Sequence, residues 1–192
     1  MTARVPPLPP EDWGDGEIAA LRRAWGDGGV DIVLSSDADA HNVVGTLLRH
    51  PRLAGRFLAY NNVLLDRPTV APRLRELMVL RVATRTGSAY EWAQHERMAR
   101  SCGISDEEIT AASHGDDAGW SPVEAALLTA TDQLLDHHRV DDATWAELAG
   151  HLDDRQLVEV LFTVGTYTCL AMVLNSVGLE PDPDLRVPEP PT

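Results

Sequence analysis

The chain is short of cysteine, of positive charge and of uninterrupted apolar runs. Its two cysteines, Cys102 and Cys169, form no C-x-x-C, so neither a redox dithiol nor a four-cysteine zinc site is available. Two unclustered thiols fit a reducing compartment. Cys169 lies in an apolar run and is expected in the core, while Cys102, just before Gly103, is expected at a helix end. Lysine and arginine total 16 against 30 acidic residues, a net charge of −14. Nucleic acid and anionic membrane surfaces both require a basic face, so neither is an expected partner. The longest apolar candidate, 158–177, is interrupted by Glu159, Gly165 and several threonines, so no segment is expected to span a bilayer. The first residues carry one arginine and a proline-rich run in place of a signal peptide's apolar stretch. The expectation is a cytoplasmic protein. Glycine and proline are too few for a fibrous chain.

Period-two alternation between hairpin turns is also missing, which leaves little room for strands. What is present is helical. The 44% apolar content over 192 residues is enough for one domain with a real core. A proline-rich arm, 1–12, precedes a single helical domain, 13–180, and a proline-rich tail, 181–192, follows it. A short helix over 18–25 stops at Gly26-Asp27-Gly28-Gly29. A helix over 37–50 comes next, with His41 and Asn42 near its start. Pro51 and Pro72 sit at favoured first positions of two more helices. Gly87 breaks the second, and Ser88 opens a helix running to about Cys102. Ser105 with Glu108 and Ser121 with Glu124 are capping boxes. Asp141 caps a further helix, and Asp153 begins a long one to Val177 that Gly178 ends. In that last helix the hydroxyls of Thr166, Tyr167 and Thr168 are expected to bond backbone. The reading is all-α, with roughly eight helices.

The densest set of reactive side chains lies in 73–95: Glu76, Ser88, Tyr90, Glu91, Trp92 and His95. Glu91 and His95, four apart, share one helix face. A carboxylate beside an imidazole can tune proton transfer near neutral pH. The same histidine could equally be a core residue bonded to Glu76 or Glu91. His137-His138 beside Asp136 sits at a helix end, where histidine favours the dipole rather than a metal. A Glu76–Glu91–His95 set lacks a second histidine. No metal and no cofactor are expected.

Several stretches resemble the carboxymuconolactone decarboxylase family, which includes the alkylhydroperoxidase D group. They are Arg75-Glu76 with its apolar followers, Tyr90-Glu-Trp-Ala-Gln-His95, Gly103-Ile-Ser-Asp-Glu-Glu-Ile109, the run from Trp120 to Leu128, Val164-Gly-Thr-Tyr167 and Asn175-Ser-Val-Gly178. Together they cover most of 40–180. The resemblance implies an alkylhydroperoxidase D-like helical bundle and a homo-oligomer, commonly a trimer or hexamer. The peroxidase branch uses a glutamate, a C-x-x-C pair and a histidine four residues on. Here Glu76 and His95 match, but Ser88 and Glu91 hold the cysteine positions, so that thiol mechanism is gone.

The decarboxylase branch implies a cofactor-independent lyase or isomerase using acid–base chemistry on a small acidic or carbonyl-bearing substrate. His95 would carry the proton, with Glu91 or Glu76 tuning it. Arg75 or Arg81 could hold an acidic substrate, although both could be structural ion-pair members. Ser88, Tyr90 and Trp92 could line the pocket. Two other readings stay open: a non-catalytic helical oligomer binding a small ligand or a protein partner, and a thiol peroxidase acting through Cys102 or Cys169.

Overall fold

Helix α4 (Pro72–Thr86) is buried over an unbroken run from Arg75 to Ala83, and its neighbours are laid around it. The computed structural model describes residues 3–35, 42–66 and 68–182. The described residues form nine α-helices and one short 3-10 helix, with no strand. Expectations for 36–41, including His41, and for the tail beyond 182 fall outside the described residues. The chain divides into two compact units, one comprising the residues up to 67 with the segment from Ser176, the other Pro68–Asn175.

In the first unit the arm is tied down. Leu8 donates its N–H to the Gly45 carbonyl at 3.0 Å, and Arg49 reaches the Pro6 carbonyl at 2.9 Å. A Cβ at Gly45 would stand 2.6 Å from the Leu8 oxygen, so this close approach requires glycine. After the 3-10 turn Pro10–Asp12 comes α1 (Asp15–Ser35). The expected stop at Gly26 is present as a kink (φ 72°, ψ −179°), but helix resumes where a loop was expected. The glycines after the kink make a poor helix, and the packing of Val30 into the unit's core holds it. Helices α2 (Asn42–Leu48) and α3 (Pro51–Asp66) complete this unit, sharing a core of Leu21, Val44, Leu48, Ala54 and Leu58.

The second unit holds α4, α5 (Ala89–Ser101), α6 (Asp106–His114), α7 (Pro122–His137), α8 (Asp142–Ala149) and, as far as Asn175, α9 (Asp154–Val177). One side of α4 (Met78, Val79, Val82) packs with Leu127 and Ala130 of α7, Leu148 of α8, and Val160, Val164 and Tyr167 of α9. Its other side (Leu77, Leu80, Ala83) packs with Trp92, Ala99, Ile104, Ile109 and Leu128. Each such leucine, valine or methionine contributes roughly 1.5–3 kcal/mol on burial. The caps are as the sequence indicates: Ser105 Oγ accepts from Glu108 N–H at 3.2 Å, and Ser105 N–H donates to Glu108 at 2.8 Å. Ser121 N–H donates to Glu124 at 2.9 Å. Arg73 bonds both Glu108 and Glu124, tying the starts of α6 and α7 together.

Helix α9 departs from expectation twice. It is long and apolar enough to cross a membrane by length and composition, with half of that window buried in the core. Its outer face is apolar too: Val158, Phe162, Met172 and Val173 are exposed. Cys169 lies on that outer face and not in the core.

Candidate active site

Gly87 makes the corner that builds the site. It ends α4 in the left-handed conformation (φ 63°), and its N–H bonds the carbonyls of Ala83 and Thr84. Helix α5 then starts within a residue, so α4 and α5 pack as close neighbours. This brings Glu76 of α4 to His95 of α5, with Glu76 Oε2 2.6 Å from His95 Nδ1. The other Glu76 oxygen accepts from Arg75 Nε at 2.7 Å. Glu76 is wholly buried, and His95 keeps an 8% exposed edge.

Burial works to raise the Glu76 carboxyl, but His95 and then Arg75 outweigh it, and the group sits below its usual value. Glu76 is therefore an ionised acceptor. Nδ1 of His95 must carry the hydrogen between them, which leaves Nε2 as the ring nitrogen not engaged by Glu76.

Glu91 is in the opposite state. Burial pushes its carboxyl up to about 8, against a weaker pull from the Ser88 hydroxyl. That hydroxyl approaches without completing a hydrogen bond. Ser88 Oγ and both Glu91 oxygens are buried with no partner. At neutral pH Glu91 is thus mainly a neutral acid, one turn before His95 on α5. The sequence had paired Glu91 and His95 by spacing. In the structure the carboxylate bonded to His95 is that of Glu76.

The remaining sequence candidates separate. Arg75 joins the group through Glu76. Tyr90 is buried and its hydroxyl accepts from Gln94 Nε2 at 3.3 Å. Trp92 packs into the core on the far side of α4. Arg81 is committed elsewhere: it donates to both Asp132 oxygens at 2.8 and 2.9 Å and to the Ser113 carbonyl at 2.7 Å. Cys102 caps α5. Burial and then the Glu76 carboxylate push its thiol up, with Arg75 opposing, which lowers its thiolate fraction. Among the described residues, no group of three or more histidine, cysteine or acidic side chains is placed to hold a metal.

Sequence reasoning missed Tyr167. Its ring meets His95 edge-on, centroids 4.8 Å apart at 88°. The neighbouring threonines bond backbone as expected, Thr166 to Phe162 O and Thr168 to Val164 O. The Tyr167 hydroxyl does not, being buried without a partner. Tyr167 and His95 lie on different helices far apart in sequence, so no local pattern links them.

A model of the carboxymuconolactone decarboxylase family matches residues 51–133, the stretch that carries Glu76, Ser88, Glu91 and His95. Over that stretch the chain is similar to this family. The fold of the described residues is alkylhydroperoxidase D-like. A peroxidase-related protein from Ralstonia eutropha with the AhpD core aligns at 18% identity and TM-score 0.72, over 92% of this chain and 96% of its own. The debrominase Bmp8, in complex with 2,3,4-tribromopyrrole, aligns at 15% identity and TM-score 0.70, over 94% and 92%. A putative antioxidant defence protein from Agrobacterium tumefaciens aligns at 19% identity and TM-score 0.62, over 69% and 92%. No curated protein matches the chain. Tyr167 lies outside the matched segment.

Proposed function

We propose that the protein is a cofactor-independent lyase or isomerase that moves protons on a small acidic or carbonyl-bearing molecule. The observation that carries this is the buried Glu76–His95 pair, closed at 2.6 Å beside an uncompensated Glu91. Glu76 fixes the tautomer of His95 and stabilises the imidazolium when Nε2 takes a proton. Glu91 supplies a neutral acid close by. One carboxyl pushed down and another pushed up is the environment-driven split that assigns base-supporting and acid roles. The family match supports an enzymatic reading, because that family includes enzymes. The chain has no lysine, so Schiff-base chemistry on a carbonyl is unavailable to it.

The test is turnover of a panel of lactone acids, β-keto acids and enolisable ketones. For any substrate found, His95→Gln should lower kcat by about 10²–10⁴-fold, the usual scale for a general acid–base group. Glu76→Gln should lower it less and shift the pH profile. Turnover that survives His95→Gln unchanged would overturn the assignment.

We also propose that the chain is a homo-oligomer, a trimer or hexamer. The exposed Val158, Phe162, Met172 and Val173 of α9 support this, since large apolar residues gathered on one face mark a contact surface.

A further inference from the structure

We infer that the Glu91 carboxyl and the Tyr167 hydroxyl form a donor pair that holds the carbonyl oxygen of the substrate, and that the substrate is therefore an enolisable carbonyl compound. This rests on the acid–base reading of the same site and names what that site accepts.

The starting point is a set of missing bonds. Ser88 Oγ, both oxygens of Glu91 and the Tyr167 hydroxyl are all buried without a partner. Each such orphan costs roughly 1–3 kcal/mol, so folded chains rarely keep them without a reason. These come from the corner before α5, the first turn of α5 and the middle of α9. Tyr167 meets His95 edge-on at 4.8 Å, and Glu91 stands one helical turn before His95 on α5. Burial raises the Tyr167 hydroxyl first, then the Glu76 carboxylate, with Arg75 opposing and Glu91 adding to the rise. The hydroxyl therefore sits within the electrostatic reach of the whole group and stays protonated.

The chemistry of the donors selects the ligand. No cation acts on Glu91, where the only pull towards the charged form is the Ser88 hydroxyl. The buried guanidinium of the group, Arg75, already serves Glu76. A cation-free set of O–H donors is poorly matched to a fully charged phosphate, which recruits arginine or lysine. It is matched to an oxygen that is neutral when bound and gains charge in the transition state. A tyrosine and a protonated carboxyl in an apolar setting are a sound physical arrangement for an enolate oxygen.

The step balances without a co-reactant. Nε2 of His95 takes the proton from the carbon next to the carbonyl. The C–H electron pair forms the new C=C bond, and the C=O π pair moves onto oxygen, where Glu91 and Tyr167 donate to it. His95 then returns the proton to the same carbon or to a conjugated one.

The probe is a series of ring-substituted phenols, including 4-nitrophenol, whose planar oxyanions mimic an enolate. Binding to the full chain is followed by calorimetry and by the phenolate absorbance. Wild type should bind, more tightly as the phenol becomes more acidic. Tyr167→Phe and Glu91→Leu should each weaken binding by about tenfold or more, whereas Glu91→Gln, which keeps a donor, should stay within about threefold. Tyr167→Phe should also hold or raise the thermal midpoint, because it deletes a buried hydroxyl that bonds nothing. The inference is overturned if wild type binds no phenol at millimolar concentration, or if neither Tyr167→Phe nor Glu91→Leu changes binding. A lowered midpoint in Tyr167→Phe also overturns it, since that reveals a structural bond. His95→Gln separates the two proposals. Phenol binding retained with turnover lost supports both. Turnover retained sinks the acid–base reading while the phenol series still decides the donor pair.

Discussion

At the scale of single residues, the site is defined by two glutamates driven in opposite directions. Glu91 has a folded pKa raised above its usual 4.5 to about 8, so the folded state holds that proton more firmly than the unfolded chain. Its effect on stability is most favourable below pH 4.5 and worsens as pH rises towards 8. Glu76 is lowered, so its contribution is present above 4.5 and lost as pH falls through its folded value. Glu91→Gln removes the first effect alone. The variant should gain stability over wild type at pH 8, on the order of a few kcal/mol, and its stability curve should be flatter on the alkaline side. Urea denaturation across that range checks this, and parallel curves for the two proteins would contradict it. The sequence displayed Glu76, Glu91 and His95 because a helix repeat and a short turn are local signals. It could not show which glutamate meets the imidazole, since that depends on how α4 and α5 pack. Tyr167 was still less visible, because its environment is contributed by helices far away along the chain.

At the scale of elements, the starts of helices were the most legible feature. Pro51, Pro72 and Pro122, with Ser105 and Ser121, mark boundaries that the structure reproduces. The kink at Gly26 was legible and the helix after it was not, because tertiary packing overrides the weak propensity of a glycine-rich segment. Arg81 illustrates a different limit. A buried arginine near a candidate site reads as a substrate clamp, yet its fork joins α4 to Asp132 of α7 and to the Ser113 carbonyl of α6. Arg81→Met should therefore destabilise the fold by roughly 2–4 kcal/mol, below the fully buried limit because Asp132 is partly exposed. Arg81→Lys should recover only part of this, lacking the two-pronged geometry. Thermal melts check the stability loss. A normal melting midpoint with impaired substrate binding would return Arg81 to the site.

At the scale of the whole molecule, a charge of −14 makes copies repel, so any self-association must come from an uncharged surface. After Glu159, α9 carries no charged residue, and its outer face shows Phe162 and Met172. Replacing both with glutamate should convert the proposed oligomer to a monomer, with each lost contact worth roughly 1.5–3 kcal/mol. Light scattering at micromolar concentration reads the outcome, and circular dichroism confirms that the helices remain. A wild-type monomer would refute the assembly. The apolar character of both faces also explains why the burial of Cys169 was misjudged. A helix that is apolar all round has no periodicity to show which side faces the core.

The inner face of α9 carries a further consequence, for the order in which the protein is made. Translation delivers α4 and α5 to the cell before α9 exists. During that interval the side chains of Met78, Val79 and Val82 lack part of their cover, and His95 lacks the ring of Tyr167. The Glu76–His95 pair thus gains its Tyr167 neighbour only once α9 is in place. A chain that stops short of α9 leaves that side of α4 uncovered, and exposed apolar surface of this kind is prone to aggregation.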